Sequence, residues 1–121
     1  DLCCFINKVE PLDKIRSNYS VWVSGLLGFQ NMHRKNLDIF ENKGSIVKFH
    51  PLIDMSKEDL NLYRQLFELP THQLLKNGYD SVGCTHCTRK GVGREGRWIE
   101  VDKTECGLHE TQGWIKNRMA G

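Results

Sequence analysis

The sequence predicts an α/β fold, and three segments indicate it. Residues 21–27 (VWVSGLL) are a nearly continuous apolar run with β-branched residues, typical of a strand buried on both faces, as in a parallel sheet flanked by helices. Residues 46–49 (IVKF) have the pattern of a second, shorter strand. An amphipathic helix is predicted at residues 56–69, and strands that alternate with helices favour an α/β sandwich.

The other elements follow from local signals in chain order. Glu10, Pro11 and Leu12 begin a short helix after the first cysteine pair. A helix whose length the pattern leaves open follows Gly28, with its apolar positions at Met32, Leu37 and Phe40. The Lys and Arg residues between positions 34 and 48 are expected on a solvated helix face, and His50 is expected to be a hydrogen-bonded structural residue.

The helix at 56–69 has clear start and stop signals. Ser56 is an N-cap candidate that precedes an acidic first turn, and Pro70 ends the segment. The residues predicted to share its apolar face are Leu60, Tyr63, Leu66 and Phe67. Glycine is concentrated in residues 78–113, so this stretch is expected to be rich in loops.

Length and charge limit the classes of protein. A chain of 121 residues that is 39% hydrophobic can bury one modest core, so we expect one domain or part of one. The net charge of +2 is too balanced to indicate a nucleic-acid or membrane surface, and no apolar run is long enough to cross a bilayer. Because the sequence starts at Asp1 and reaches a cysteine at once, we expect it to begin within a larger domain, of which it is the C-terminal portion.

Five cysteines give the strongest chemical signal: Cys3, Cys4, Cys84, Cys87 and Cys106. Two pairs brought together by folding would supply four soft thiolate ligands for an iron-sulfur cluster or zinc. Adjacent cysteines reach one centre only from a bent or helical backbone, which favours a [4Fe-4S] cluster, with zinc as the alternative. The odd count and the lack of a secretory signal favour a reduced, cytosolic protein.

The fifth cysteine lies in a cationic segment. Arg94 and Arg97 could bind phosphate or sulfate oxygens through bidentate contacts, although taken alone they are better explained by a solvated surface loop, since arginine is mostly exposed. Lys103 and His109 flank Cys106 and would favour its thiolate form if they lie close to it. Cys106 is therefore a candidate nucleophile, and a buried structural thiol is the alternative.

These motifs together resemble the C-terminal half of the assimilatory adenylyl-sulfate (APS) and phosphoadenylyl-sulfate (PAPS) reductases. The resemblance runs in the family's order over nearly the whole chain, and its most specific part is the ECGLH motif at residues 105–109. The matching segments are Cys3 and Cys4 with 8–12, residues 22–30, Lys48 with 51–52, residues 78–89, residues 96–98 and residues 103–109.

The resemblance implies a fold and a reaction. The fold would be the C-terminal portion of a Rossmann-like adenine-nucleotide α-hydrolase-type sandwich, formed by residues 1–121 as part of a single reductase domain, with a loop-rich, cysteine-containing catalytic tail at 88–121. In the reaction, Cys106 would attack the sulfur of APS, expel AMP and hold an S-sulfocysteine. A thioredoxin or glutaredoxin-like reductant would then release sulfite.

The resemblance also implies roles for individual residues. Cys3, Cys4, Cys84 and Cys87 match the ligands of the [4Fe-4S] cluster of the APS-using branch. The positions that match groups around the substrate are Lys8, Arg94, Arg97 and His109. One departure weakens the match: residues 27–30 read LGFQ where the family usually has one or two arginines before its glutamine. Arg34 or His33, about one helical turn beyond Gln30, could supply a substitute cation.

Three functions remain open at this point. The first is an APS reductase, the second is a PAPS reductase that prefers a 3′-phosphorylated substrate, and the third is a non-catalytic iron-sulfur or zinc module that docks a redox partner. The first is favoured, with a cytoplasmic location, or the plastid stroma in a plant or alga. No nucleic-acid or membrane partner is expected, and a homo-oligomer is left open.

Overall fold

The computed structural model describes residues 2–101 and 103–109 of the 121-residue chain. The chain divides into two compact units, and each is considered by itself. The first unit draws on Asp1–Ser20 and Glu105–Gly121, and the second is Val21–Thr104. No helix within the described ranges has the length and apolar character that a membrane crossing requires.

The first unit begins with a helical segment that changes its winding. Helix α1 (Leu2–Cys4) passes into a wider π-helical turn at Phe5–Val9 and then into helix α2 (Glu10–Arg16). In the π turn the N–H of Glu10 donates to the carbonyl of Phe5, five residues earlier. Pro11 lies in the first turn of α2, where the lack of a backbone N–H costs least. The helix predicted at Glu10–Leu12 is therefore present, as the last part of a longer segment.

The second unit contains a three-stranded mixed sheet. Strand β1 (Val21–Val23) pairs in parallel with β3 (Ile46–Phe49), and β2 (Phe40–Lys43) pairs with the other side of β3 in antiparallel fashion. The order is therefore β1-β3-β2. Gly44 turns the chain between β2 and β3 with a φ of +68°, a conformation that glycine adopts without strain. This small mixed α/β arrangement confirms the predicted fold class at its coarse level.

Burial of β1 on both faces was predicted and is wrong for the described residues. Val21 and Val23 are 52% and 60% exposed. The strand is only three residues long and lies at an edge, so one of its faces is uncovered. Leu26 and Leu27, which follow the strand, supply the burial that the apolar run indicated. An apolar run predicts burial, but it does not tell which of its residues remain in the strand.

The helix predicted after Gly28 is present but short, and of its three predicted apolar positions it contains only Met32. A 3-10 turn at Gly28–Gln30 is followed by the short helix α3 (Met32–Lys35), which Asn31 caps by accepting a hydrogen bond from the N–H of Arg34 at 2.8 Å. Phe40, predicted on this helix, starts β2 instead and stacks on Phe49 with ring centroids 4.7 Å apart. Packing across the β2–β3 pair outweighed the helical spacing of the apolar residues.

Helix α4 (Lys57–Leu66) confirms the predicted cap but ends earlier than residue 69. The hydroxyl of Ser56 accepts from the N–H of Asp59 at 3.0 Å, as in a capped first turn. Glu68 has a φ of +48°, which turns the chain before Pro70. The apolar side of α4 is not covered within the described residues, since Leu66 and Phe67 are 69% and 61% exposed.

The segment after α4 is held together by short turns and isolated bridges. Two 3-10 turns occupy Gln73–Asn77 and Thr85–Cys87. Isolated bridges pair Tyr79 with Gly91 and Thr88 with Arg97. The tail predicted at 88–121 falls partly outside the described residues, as do Asp1 and the end of the predicted 1–121 domain, and its catalytic role stays a prediction.

Candidate functional site

The first cysteine pair lies on a helical backbone, as its proposed use as a ligand pair requires. Cys4 has helical dihedral angles and is 6% exposed, whereas Cys3 is exposed. The side-chain amide of Asn7 donates to the carbonyl of Cys3 at 2.9 Å and lies 3.7 Å from its sulfur. Lys8 is in the π-helical turn that follows, a type of distortion that is frequent at functional sites.

Cys106 and His109 belong to the same unit as Cys3, Cys4 and Lys8. Both are half-buried, and the thiol of Cys106 is free. Gly107 has a φ of +84°, so the backbone beside the thiol adopts a conformation that few other residues would tolerate. Glu105, on the other side of the thiol, is 2% exposed.

The second cysteine pair is built into a tight turn of the second unit. Cys84 precedes the 3-10 turn, and the N–H of Cys87 donates to its carbonyl at 3.0 Å. The hydroxyl of Thr88 donates to the same carbonyl at 2.8 Å and accepts from the N–H of Gly83 at 3.1 Å. Neither cysteine forms a disulfide, both are half-buried, and His86 between them is exposed. The turn therefore fixes the backbone of both cysteines.

Arg97 fastens this turn to the loop that follows. Its Nε donates to the carbonyl of Cys87 at 3.2 Å, and one Nη donates to the carbonyl of Val82 at 3.3 Å and to the hydroxyl of Ser81 at 3.4 Å. The guanidinium occupies the space where a Cβ of residue 83 would stand, so a side chain at that position would displace the end of Arg97 from the turn. Arg97 was predicted to bind substrate, and the structure gives most of its donors to the cysteine turn.

A cavity of about 580 Å³ in the second unit collects the cationic residues that the sequence singled out. Arg94, Arg97 and Lys103 line it together with Gln30 and one carboxylate, Glu95. The volume is within the range of small-molecule sites, and three cations against one carboxylate favour an anionic ligand. Of the predicted substrate-binding residues, the cavity thus brings together Arg94 and Arg97.

Trp98 is the side chain between the two arginines. Its ring centre is 5.4 Å from the guanidinium carbon of Arg94 and 4.4 Å from that of Arg97, and it is 7% exposed. Its φ of +51° is uncommon for a bulky residue and is the kind of backbone strain that surrounding contacts must maintain. Trp98 therefore belongs to the buried core of the second unit.

The departure at residues 27–30 has a structural reason. The N–H of Gly28 donates to the carbonyl of Ile53 at 3.0 Å, and a Cβ at residue 28 would lie 2.5 Å from that oxygen. A longer side chain therefore does not fit at this position without a shift of the backbone. Arg34 donates a hydrogen bond to the amide oxygen of Gln30, so the suggested substitute cation contacts a residue of the cavity.

The sequence missed two buried polar residues, Lys48 and His50, each 1% exposed. Lys48 was expected on a solvated helix face, but it lies on β3 with its ammonium 4.7 Å from the ring centre of Trp22. His50 is hydrogen-bonded, as expected, to Ser24 and Glu41. The alternation of side chains along β3 could have predicted which face of the sheet Lys48 lies on. Its contact with Trp22 could not be predicted in this way, because it depends on the parallel pairing of β3 with β1.

No three His, Cys, Asp or Glu side chains within residues 2–101 and 103–109 are grouped as a metal centre. The four predicted ligands are divided between the units, with Cys3 and Cys4 in the first and Cys84 and Cys87 in the second. Cys4 lies on a helical backbone and Cys84 precedes a 3-10 turn, and none of the four cysteines forms a disulfide.

Comparison with known proteins identifies the family. Residues 1–90 match the family model of the phosphoadenosine phosphosulfate reductase domain. Adenosine 5′-phosphosulfate reductases from Streptomyces coelicolor and Halalkalibacterium halodurans are each 39% identical to the chain, over 90% and 91% of its length. Adenosine 5′-phosphosulfate reductase 2 from Bacillus subtilis is 38% identical over 91% of the chain. The alignments cover 49%, 50% and 49% of these relatives, so the chain spans about half the length of the curated proteins it matches. The extent of the family match shows that the chain belongs to the phosphoadenosine phosphosulfate reductase domain family.

Proposed function

We propose that this chain is the thiol-bearing part of an adenylyl-sulfate reductase, which converts APS to sulfite and AMP in sulfate assimilation. The observation that carries the proposal is the similarity, over about 90% of the chain, to relatives named for this substrate. The cationic cavity supports it independently, because APS carries a phosphate and a sulfate in one anhydride.

Cys106 is the nucleophile in this proposal. Its sulfur attacks the sulfur atom of APS, the bond from that atom to the bridging oxygen breaks, and AMP leaves with the electron pair. The product on the enzyme is an S-sulfocysteine. One thiolate of a thioredoxin or glutaredoxin-like dithiol then attacks the Cys106 sulfur, displaces sulfite and forms a mixed disulfide with Cys106. The second thiol of the reductant attacks the reductant sulfur of this disulfide, so that the reductant leaves with its own disulfide and Cys106 returns to a thiolate.

The cations act on the charge that develops during this attack. Negative charge grows on the leaving phosphate, and fixed guanidinium and ammonium groups stabilise it without having to reorganise. Arg94 and Lys103 are assigned this role because they line the cavity. Arg97 shares the cavity and also fastens the cysteine turn. Lys8 and His109 are proposed to contact the substrate as well.

Cys3, Cys4, Cys84 and Cys87 are proposed as the ligands of a [4Fe-4S] cluster. Soft sulfur donors suit iron-sulfur clusters, and zinc is the less favoured occupant. The helical backbone at Cys4, the turn at Cys84 and Cys87 and the absence of disulfides among the four cysteines support the assignment. When bound, such a cluster supplies a large local charge that biases nearby groups.

The proposal also includes a specific fold, which goes beyond the small mixed α/β arrangement described above. The parallel pairing of β1 and β3 supports a Rossmann-like sandwich of which residues 1–121 are one part, with residues 88–121 as the catalytic tail. The protein would act in the cytoplasm, or in the plastid stroma in a plant or alga.

A second candidate function is that of a PAPS reductase. The matching family model favours it, because that model is described by the substrate PAPS.

Intact-mass analysis of the full-length, anaerobically purified protein with APS and no reductant tests this function. We expect one sulfite-sized adduct on Cys106 and an equal amount of AMP, because the first half-reaction needs no electrons from outside. The matched control is Cys106→Ser, which should keep its iron and form neither product. PAPS in place of APS separates the two candidates. Iron-containing protein that forms no adduct with either substrate would favour the non-catalytic module.

A further inference from the structure

Three polar side chains form a continuous hydrogen-bonded series where two parallel strands end. Val23 of β1 is paired with Phe49 of β3, and Ser24 and His50 are the next residues of each strand. The N–H of Ser24 donates to the carbonyl of Phe49 at 2.9 Å, which keeps the two ends in register. The carboxyl ends of parallel strands are the edge at which α/β proteins bind their ligands.

The contacts fix where the protons lie. Ser24 Oγ is 2.5 Å from His50 Nδ1, and His50 Nε2 is 2.8 Å from Glu41 Oε2. Burial opposes ionisation of Glu41, but hydrogen bonds from His50 and Lys43 and the charges of Lys43 and Lys48 outweigh it and hold the pKa of this carboxyl below its usual range. An ionised carboxylate only accepts, so Nε2 carries the proton of the neutral ring. Nδ1 then accepts, and the Ser24 hydroxyl donates inward.

The exposure of the three residues gives the series a direction. His50 is 1% exposed, whereas Ser24 and Glu41 are both half-buried, with the side chain of Glu41 14% exposed. Gly25, next to Ser24, is exposed, and no atom lies within 4 Å of the place where its Cβ would be. Ser24 is therefore the member of the series that an incoming ligand can reach.

We propose that Ser24, His50 and Glu41 form a proton-coupled site for a tetrahedral oxyanion, a sulfate or phosphate group. One proton from solvent binds His50 at Nδ1, which then donates to the Ser24 oxygen. The Ser24 hydroxyl keeps its own proton, and its O–H bond rotates outward. In this orientation the hydroxyl donates a hydrogen bond to the anion. Binding of the anion thus takes up one proton, and the site does not require the reaction proposed above.

The charges around His50 explain why anion and proton should bind together. Strand β2 contributes Glu41 and Lys43, whose ammonium is 3.3 Å from the carboxylate, and β3 contributes the buried Lys48. The end of β1 contributes the Ser24 hydroxyl and no charge. The two ammonium groups oppose a further positive charge on His50, whereas the Glu41 carboxylate, 2.8 Å from its Nε2, favours it. A dianion beside Ser24 compensates that charge.

NMR of the histidine ring nitrogens at neutral pH tests the proposal, with sodium sulfate compared with sodium chloride at equal ionic strength. Sulfate is the probe because it does not itself titrate near neutral pH. In chloride we expect the His50 ring to carry its proton on Nε2 alone, and in sulfate on both nitrogens. The His50 signals are identified by their absence in His50→Asn. Calorimetry in two buffers should give about one proton taken up for each sulfate bound.

Variants of Ser24 separate this site from a general attraction to anions. Ser24→Ala should lower sulfate affinity about tenfold and leave His50 neutral in sulfate, because the outward donor is gone. Ser24→Thr should restore both the sulfate affinity and the protonation of His50 in sulfate. Ser45 is an exposed serine of the β2–β3 turn, and Ser45→Ala should behave as wild type. Sulfate binding without protonation of His50, or no response of His50 to sulfate, would overturn the proposal. The wild-type spectra decide this even if Ser24→Ala does not fold.

Discussion

Arg97 illustrates how one side chain can have a role that its sequence context does not reveal. The spacing of Arg94 and Arg97 predicted an anion receptor, and both do line the cationic cavity. The donors of Arg97 are nevertheless directed to Ser81, Val82 and Cys87. The reason is that the loop after the cysteine turn folds back and brings Arg97 beside that turn. No local pattern encodes that return, which depends on the isolated bridge between Thr88 and Arg97.

Gly83→Ala should therefore disturb the cysteine turn. The new Cβ would collide with the guanidinium of Arg97, which must leave its carbonyl partners. We expect a loss of about 1–3 kcal/mol in the free energy of unfolding, as for overpacking elsewhere. Urea denaturation measures it.

Gly25→Ala is the matched control, since a Cβ there meets no atom within 4 Å. Its stability should stay within about 0.5 kcal/mol of wild type. Equal stability of the two variants would show that Arg97 does not occupy the space beside Gly83.

The buried polar residues of the sheet could not have been predicted from the sequence either. Lys48 and His50 lie in or beside a short strand whose partners are 26 residues earlier in the chain. The apolar pattern indicated β1 and β3, but the contacts of Lys48 with Trp22 and of His50 with Ser24 come from the pairing of β1 with β3, and the contact of His50 with Glu41 comes from β2. By contrast, Cys84-x-x-Cys87 and the cap at Ser56 were predictable, because their geometry is set within four residues.

At the scale of elements, the β2–β3 pair depends on the charge of Glu41. The carboxylate is hydrogen-bonded to His50 and 3.3 Å from Lys43, and these contacts lower the pKa of Glu41 despite its partial burial. A lowered folded-state pKa adds stability above the ordinary value of 4.5, and this stability is lost as the pH falls through the folded-state pKa.

Glu41→Gln should accordingly be less stable than wild type at pH 7, by about 1–2 kcal/mol, because its hydrogen bonds are no longer charge-assisted. The difference should shrink as the pH is lowered from 4.5, since the wild-type carboxyl then becomes neutral too. Urea unfolding from pH 7 to pH 3 gives the comparison, with the exposed Glu100→Gln as control. A difference that does not change with pH would contradict the role of the charge.

The helices show where periodicity succeeds and where it fails. The start of α4 was predicted because its cap is a local hydrogen bond. The region after Gly28 was predicted as one helix from Met32, Leu37 and Phe40, but strand pairing recruits Phe40 into β2. Periodicity alone cannot decide such a case, because the same apolar residue satisfies a helix face or a strand face.

At the scale of the whole molecule, the proposed cluster links stability to metal content. Four ligands drawn from positions 3, 4, 84 and 87 join distant parts of the chain, so metal binding adds to the free energy of folding. Protein with full iron and sulfide content should unfold about 4 °C or more above the same protein after oxidative loss of iron, the shift expected for about 1 kcal/mol.

Scanning calorimetry under argon, with iron and acid-labile sulfide analysis of each sample, measures this effect. Cys84→Ser should lose iron and show the lower transition temperature, whereas Cys106→Ser should keep both iron and wild-type stability. Full iron content in Cys84→Ser, or equal transition temperatures with and without iron, would contradict the ligand assignment.

The position of Trp98 between two guanidinium groups has an optical consequence. Indole emission responds to charges near the ring, and the cations of Arg94 and Arg97 lie within 5.4 Å of its centre. An anion that pairs with either arginine changes the field at the indole. Because the same arginines line the cavity, the intrinsic fluorescence of Trp98 reports its occupancy, and ligand affinity becomes measurable without a label.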